Sequence, residues 1–283
     1  MDEKLQFEKY LELAQNGDND AMWRVGYCYE KSLGVEKDDS KAFEWYMKSA
    51  ICGVAVAQNH LGNCYAYGIG TEKNLVKSVE WYLKAAEKND MCAQNNLGIS
   101  YYFGHGVNKD YKKAFEWYSK AAEQGDDNSQ VMLGLYYQKG HDVVSIDFKQ
   151  AVYYFGLAAE KGNVLGQFYL ARAYEFGMGV KQDYFVAYAW YRKSAEQGFS
   201  LAQCELGNCF ANGYGAYKSQ EMAIKWYMEA ASQNCGKAFY ELGNCYERGL
   251  GVEKDLTRAK EYYLKAENRG YKLAIEALER LNK

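Results

Sequence analysis

A small residue recurs along the chain at a nearly constant interval, and no other feature limits the fold as strongly. Gly26, Gly62, Gly98, Gly134, Ala171, Gly207 and Gly243 are separated by 36, 36, 36, 37, 36 and 36 residues. Eight residues after each anchor stands Gly34, Gly70, Gly106, Gly179, Gly215 or Gly251, and only Asp142 breaks that series. Nineteen after it comes Trp45, Trp81, Trp117, Trp190, Trp226 or Tyr262, each followed by tyrosine. In the fourth unit Tyr154 and Phe155 stand one residue late, which places an insertion in the loop around 143–147. Seven units in register describe an array in which each unit buries its apolar face against its neighbours, so the 283 residues need not divide into closed-core domains.

Inside a unit the spacing is helical. Ala57, Leu61, Gly62 and Tyr65 fall on one face of a first helix, and Val79, Tyr82, Leu83 and Ala86 on one face of a second, with Glu80, Lys84 and Glu87 outside it. Gly68-Ile69-Gly70 supplies the turn between them, since glycine accepts the positive φ that ends a helix. A glycine inside a helix costs about 1 kcal/mol relative to alanine. The anchor glycines therefore predict a partner helix so close that a Cβ would clash. The complete absence of proline suits helices joined by short turns. At the ends, Phe7, Tyr10, Ala14 and Gly17 repeat Phe43, Tyr46, Ala50 and Gly53, while Ala274 and Leu278 repeat Ala238 and Leu242 before Glu279 replaces the anchor. The expected fold is all-α, a right-handed α/α superhelix (solenoid). One domain, 1–283, is expected to comprise an N-terminal half-repeat helix (1–17), seven repeats (18–270) and a C-terminal capping helix (271–283).

The pattern Ala-x-x-x-Leu-Gly-x-x-Tyr-x-x-Gly-x-Gly-Val, then Lys-Ala-x-Glu-Trp-Tyr-x-Lys-Ala-Ala-Glu-Gln-Gly, closely resembles the Sel-one-like repeat family, a cousin of the tetratricopeptide repeat. The third unit carries it from Ala93, Leu97, Gly98 and Tyr101 through Gly104, Gly106 and Val107 to Lys113, Ala114, Glu116, Trp117, Tyr118 and Gly125. The resemblance implies a scaffold or adaptor that assembles proteins and names no ligand. One secreted branch of that family joins successive repeats with cysteine pairs. The corresponding positions here are Ala50 with Gln58, Ala86 with Gln94 and Ala122 with Gln130, so that staple is missing.

Other chemistries find little support. With 34 Lys plus Arg against 37 Asp plus Glu the formal charge is −3, which offers no basic excess for nucleic acid or an anionic membrane. No apolar run reaches the length of a membrane span, and the acidic, amphipathic first residues are unlike a signal peptide. A cytoplasmic location is expected, with an exported effector as the alternative. Of eight cysteines, Cys28, Cys64, Cys209 and Cys245 lie two residues after an anchor, as small core hydrophobes, and no CxxC occurs. His60, His105 and His141 lie in different units and read as loop or surface residues. The Gly-x-Gly turns lack the third glycine and the preceding strand of a dinucleotide loop, and Ser-x-x-Lys is absent. The Trp-Tyr pairs, recurring at one register, read as core or inter-repeat packing. The expectation is a non-enzymatic protein without cofactor or metal.

A partner is expected on the concave side, lined by the first helices. Positions two, six and nine residues after each unit's first alanine lie opposite its core residues on a wheel of about 100° per residue. This stripe carries Trp23, Tyr27, Asn59, Asn63, Asn95, Ile99, Tyr102, Val131, Leu135, Phe168, Arg172, Asn208, Tyr240 and Asn244. Its centre, Ile99, Tyr102, Val131, Leu135 and Phe168, is apolar and reads as an interaction patch, or as residues that tighten the superhelix or pack a self-dimer. Asn59, Asn63, Asn95, Asn208 and Asn244 offer donors and acceptors to clamp a peptide backbone. The irregular fourth-unit loop, 140–148, is expected to join Leu135 and Phe168 in one binding region, or to be a tolerated insertion. Replacing both residues with Asp is expected to abolish capture of a protein or peptide while sparing helicity.

Overall fold

Helix boundaries follow capping chemistry written in the sequence. In a computed structural model that describes residues 2–281, Asp18, Asp38, Asn74, Asp90, Asp110, Asp126, Asp147, Asn163, Asp183, Ser219 and Asp255 each accept a hydrogen bond from a backbone N–H two or three residues on. First helices end on left-handed Gly68, Gly104, Gly177, Gly213 and Gly249, with Ser32 at φ 59° in the first unit. The described residues form sixteen helices and no strand, an all-α repeat solenoid.

Two compact units are present, one ending at Ser145 and one beginning at Ile146. The N-terminal unit contains α1 (Glu3–Gln15), then the pairs α2 (Asn19–Lys31) with α3 (Asp39–Ile51), α4 (Ala55–Tyr67) with α5 (Leu75–Glu87), and α6 (Met91–Phe103) with α7 (Tyr111–Glu123), and finally α8 (Asp127–Lys139). The C-terminal unit opens with α9 (Phe148–Glu160). The pairs α10 (Val164–Phe176) with α11 (Tyr184–Glu196), α12 (Ser200–Asn212) with α13 (Gln220–Ser232), and α14 (Gly236–Arg248) with α15 (Leu256–Asn268) follow, and α16 (Leu273–Leu281) closes it.

The anchor glycine is the seat of a tyrosine. A Cβ built on Gly62, Gly98, Gly207 or Gly243 would lie 2.5 Å from the ring of Tyr82, Tyr118, Tyr227 or Tyr263, and on Gly26 2.9 Å from Tyr46. Those rings are buried. The second residue of each Trp-Tyr pair thus fills the space vacated by the missing side chain. The tryptophan points to the neighbouring repeat: Trp81 packs on the core of Ala42, Tyr46, Ala57 and Leu61, and Trp117 on that of Val79, Tyr82, Ala93 and Leu97. Lys48, Lys84, Lys120 and Lys193 cover the outer tryptophan faces at 4.3, 4.0, 4.1 and 4.0 Å.

The second turn glycine also does more than turn the chain. A Cβ on Gly70 would stand 2.0 Å from the Asp39 carbonyl oxygen, so this loop rests on the backbone at the start of the preceding repeat's second helix. Between repeats, Gln58 Nε2 donates to the Ala50 carbonyl at 3.1 Å, Gln130 to Ala122 at 3.4 Å and Gln203 to Ala195 at 3.3 Å. These hydrogen bonds link positions that carry cysteine pairs in the stapled branch. All eight cysteines are free thiols; six are buried, and Cys52 and Cys92 are exposed.

Gly98→Leu drives a branched side chain into the Tyr118 ring. Helix propensity favours leucine by about 1 kcal/mol, while overpacking costs about 1–3 kcal/mol or more, and the fixed, buried ring leaves little room to relax. A lower urea midpoint is expected, with native helicity in the absence of denaturant; an unchanged midpoint contradicts the seat.

Candidate protein-binding face

The phenol oxygens of the seated tyrosines emerge on the first-helix face and organise it. Tyr82 donates to Asn63 Oδ1 at 2.6 Å, Tyr227 to Asn208 Oδ1 at 2.7 Å, and Tyr263 to Asn244 Oδ1 at 2.8 Å and Glu247 Oε2 at 2.6 Å. Tyr46 donates to Glu30 Oε2 at 2.7 Å, and Tyr191 to Glu175. Donor and acceptor are thus nineteen or sixteen residues apart, a spacing visible in the sequence that the helical wheel does not reveal. Desolvation raises these phenols well above the usual tyrosine range, and the carboxylates beside Tyr46, Tyr191 and Tyr263 raise them further.

The asparagines are therefore not free clamps, which corrects the expectation drawn from the wheel. Asn208 and Asn244 spend their amide donors on Glu205 at 2.8 Å and Glu241 at 3.2 Å. Asn59 and Asn63 accept from Asn96 Nδ2 at 2.9 and 3.4 Å, and Asn95 accepts from Ser129 Oγ at 3.0 Å. The polar ladder positions the helices as much as it presents donors.

Three stripe residues are not on the surface at all. Asn59, Val131 and Phe168 are 7%, 2% and 5% exposed. The wheel placed them opposite one core, but for Asn59 and Phe168 the array presents a second neighbour: the position two residues after the first alanine turns toward the next repeat, where Asn59 meets Asn96. Phe168 lies edge-on to Phe199 of that repeat at 5.1 Å and 5.9 Å from Tyr191. Phe168→Asp would place a carboxylate in the core and destabilise the fold, contrary to the expectation of intact helicity. Leu135 is half-buried in the N-terminal unit, whereas Phe168 belongs to the C-terminal one.

What remains available differs between the units. In the N-terminal unit Tyr27 is 37% exposed, and Trp23, Asn63, Asn95, Ile99, Tyr102 and Leu135 are half-buried. Trp23 stacks on His60 at 5.9 Å, His60 stacks on Tyr46 at 4.8 Å, and Tyr27 meets His60 edge-on at 5.9 Å. Burial lowers the His60 pKa, opposed by Glu30, whose carboxylate is 3.9 Å from Nδ1. His60 is thus a packed helical residue and not the loop or surface residue expected. A cavity of about 330 Å³ opens among Glu3, Tyr10, Trp23, Arg24, Tyr27 and Leu33, and another of about 220 Å³ among Tyr82, Asn96, Ile99, Ser100 and His105. The irregular loop begins with His141 and Asp142 at φ 45° and 58°, and the His141 ring packs 4.9 Å from Tyr111, 5.2 Å from Tyr136 and 5.8 Å from Tyr102.

In the C-terminal unit the corresponding face is ionic. Lys237 pairs with Glu205 at 2.6 Å and Arg280 with Glu247 at 2.6 Å, while Arg172, Asn208, Tyr240 and Asn244 are half-buried. Burial pushes the Glu175 and Glu241 carboxyls up. Among the described residues no cluster of three or more His, Cys, Asp or Glu side chains could hold a metal, and no helix is long and apolar enough to cross a membrane.

The family profile described as Sel1 repeat matches seven successive segments, 19–54, 55–90, 93–126, 127–163, 164–199, 200–235 and 237–271. The chain belongs to the Sel1 repeat family. Among solved structures, this Sel1 repeat chain is similar to a protective antigen present in uropathogenic Escherichia coli strains that displays an SLR fold. The two share 36% identity over 95% of this chain with a TM-score of 0.81, and the match spans 58% of the antigen's length. It is similar also to a Sel1 repeat protein from Oxalobacter formigenes, 31% identical over 97% of this chain and 79% of that one, with a TM-score of 0.73. Yeast Tom70, 14% identical, shares the fold alone at a TM-score of 0.50, over 99% of this chain and 58% of that one. No curated protein matches.

The third Sel1 repeat breaks the hydroxyl rule: Ile99 and Tyr102 stand where the acceptor asparagine or glutamate should be, and the buried Tyr118 hydroxyl has no partner among the described residues. Tyr118→Phe therefore removes an unsatisfied group and is expected to leave the urea midpoint unchanged or raise it, whereas Tyr82→Phe loses a hydrogen bond worth about 0.5–1.5 kcal/mol. Equal losses in the two variants contradict this assignment.

Proposed function

We propose that this Sel1 repeat chain is a non-enzymatic scaffold or adaptor that holds a polypeptide segment of a partner against the first-helix face of its N-terminal unit. Sel1 repeat proteins generally mediate protein–protein interaction. The observation that carries the finer reading is the pair Trp23 and Tyr27, one helical turn apart beside an open cavity of about 330 Å³. Trp and Tyr dominate the energetics of protein interfaces, and the flanking side chains are already held by hydrogen bonds and ring stacking, which limits the entropy lost on binding. Glu30, Glu175 and Glu247 of this repeat face accept from structural tyrosines, an arrangement that fixes its shape.

The proposed location is the cytoplasm. A second reading, an exported protein that engages host proteins, draws on the likeness to an antigen of uropathogenic E. coli. Fractionation of cells and medium separates the two.

The binding reading is tested with the immobilised full chain and its Trp23→Ala/Tyr27→Ala variant. Partner capture by the wild type and a loss of at least about tenfold in the variant, with unchanged helical circular dichroism, are expected if these two rings are interface anchors. A folded variant that captures the same proteins to the same extent overturns the assignment. Light scattering that shows a wild-type dimer dissociated by the double substitution would instead make a second copy the occupant of this face.

A further inference from the structure

Two thiols in the C-terminal unit meet inside the core. Cys204, in the second turn of α12, is 0% exposed, and Cys235, the N-cap residue of α14, is 8% exposed. Both belong to one apolar cluster with Ala202, Leu206, Ala230 and Ala238, and they occupy the positions at which the flanking repeats bring Phe168 to Phe199 and Tyr240 to Tyr271, each ring pair 5.1 Å apart. The repeat explains the meeting. Position two of one unit faces the N-cap of the next unit's first helix, as Phe168 and Phe199 do one repeat earlier at 5.1 Å. Phenylalanines there make a ring contact; cysteines make a dithiol. This pair does not occupy the positions stapled in the secreted branch, where Gln203 here donates to the Ala195 carbonyl.

We propose that Cys204 and Cys235 form a peroxide-sensitive modification site, at which a hydroperoxide converts the two thiols into a disulfide that ties α12 to the start of α14. The Cys204 thiol, the N–H groups of Ala238 and Lys237 at the helix N-terminus, and the Lys237 ammonium all favour a charged Cys235 sulfur, and its pKa is pushed down to about 6 despite burial. The other buried thiols are driven the opposite way, Cys64, Cys209 and Cys245 each to about 12 by desolvation.

The Cys235 thiolate attacks one peroxide oxygen. The S–O bond forms as the O–O bond breaks, and the departing alkoxide or hydroxide takes a proton from solvent. The Cys204 sulfur then attacks the Cys235 sulfur as its thiol proton is lost, and the hydroxide leaving Cys235 takes up that proton and departs as water. Two thiols are oxidised by two electrons, and the peroxide is reduced to an alcohol or water. Cys235, the less enclosed of the two at 8% exposure, serves as the attacking group, while Cys204, fully enclosed, is the resolving one.

The test treats the reduced full chain with stoichiometric hydrogen peroxide, quenches with N-ethylmaleimide in urea, and digests with trypsin without reductant. Segment 194–218 contains Cys204 and Cys209, and segment 226–237 contains Cys235. The expected product is these two segments cross-linked, with fragmentation placing the bond on Cys204. A melting temperature higher by roughly 5 °C or more, reversed by dithiothreitol, should accompany it. Cys235→Ser should keep the reduced chain's melting temperature and abolish both effects. Oxidation of the exposed Cys52 or Cys92 ahead of the pair overturns the proposal, as does a bond to Cys209 or a Cys235 sulfinic acid beside an unmodified Cys204.

Discussion

The structure depends on a contact between a tyrosine ring and a glycine that leaves room for it. In five of the repeats a side chain on the anchor glycine would intrude to 2.5–2.9 Å of that ring. Removing a Cβ from the first helix sacrifices helix propensity, and the return is a large buried ring between the two helices of a pair. Burial of aromatic area is the larger effect, since a fully buried ring contributes about 1.5–3 kcal/mol against about 1 kcal/mol for the glycine. Ala171, over Tyr191, shows that one methyl can be accommodated. Everything else in the pair is arranged around this ring: the tryptophan beside it turns to the preceding repeat, and its hydroxyl reaches the opposite face.

That hydroxyl joins the packed core to the first-helix face. Six residues after the first alanine the chain places Asn63, Asn208 and Asn244, and nine after it Glu30, Glu175 and Glu247, and each of these accepts from a buried phenol. The first-helix face is held from within, so the oxygens that accept from these phenols are fixed in place. As sequence positions, Leu135 goes with Phe155 in the fourth repeat, acceptor and hydroxyl lost together, while the third retains Tyr118 opposite Ile99 and leaves the hydroxyl unsatisfied. The N-terminal unit thereby acquires an aromatic and amide surface and the C-terminal unit an ionic one, from one backbone plan.

The helix pairs, the turn glycines and the function of the anchor were legible in the sequence because each recurs in six or seven units at nearly constant spacing, and packing imposes such a rhythm. The face was legible in part. A helical wheel treats each helix as having one buried side, and in an array the first helices also touch one another. Asn59 and Phe168 lie on that second contact and are enclosed, Val131 is enclosed as well, and Trp23, Tyr27, Ile99 and Tyr240 keep some exposure. The role of the asparagines was hidden for a different reason: their partners are the tyrosines of the second helix, and no periodicity within the first helix indicates them. His60 and His141 were likewise unreadable, because each is placed by rings from several helices and not by local pattern.

The claim that the tyrosine hydroxyl couples the core to the first-helix face is most directly tested by a double-mutant cycle on Tyr227 and Asn208. Urea unfolding of the wild type, Tyr227→Phe, Asn208→Ala and the double variant gives the interaction energy. A hydrogen bond of 2.7 Å from a buried donor should appear as a coupling of about 0.5–1.5 kcal/mol, with the second substitution costing less once the first is made. Strict additivity of the two losses would mean that the hydroxyl does not hold the face, and the link between the packed ring and the first-helix face would fall.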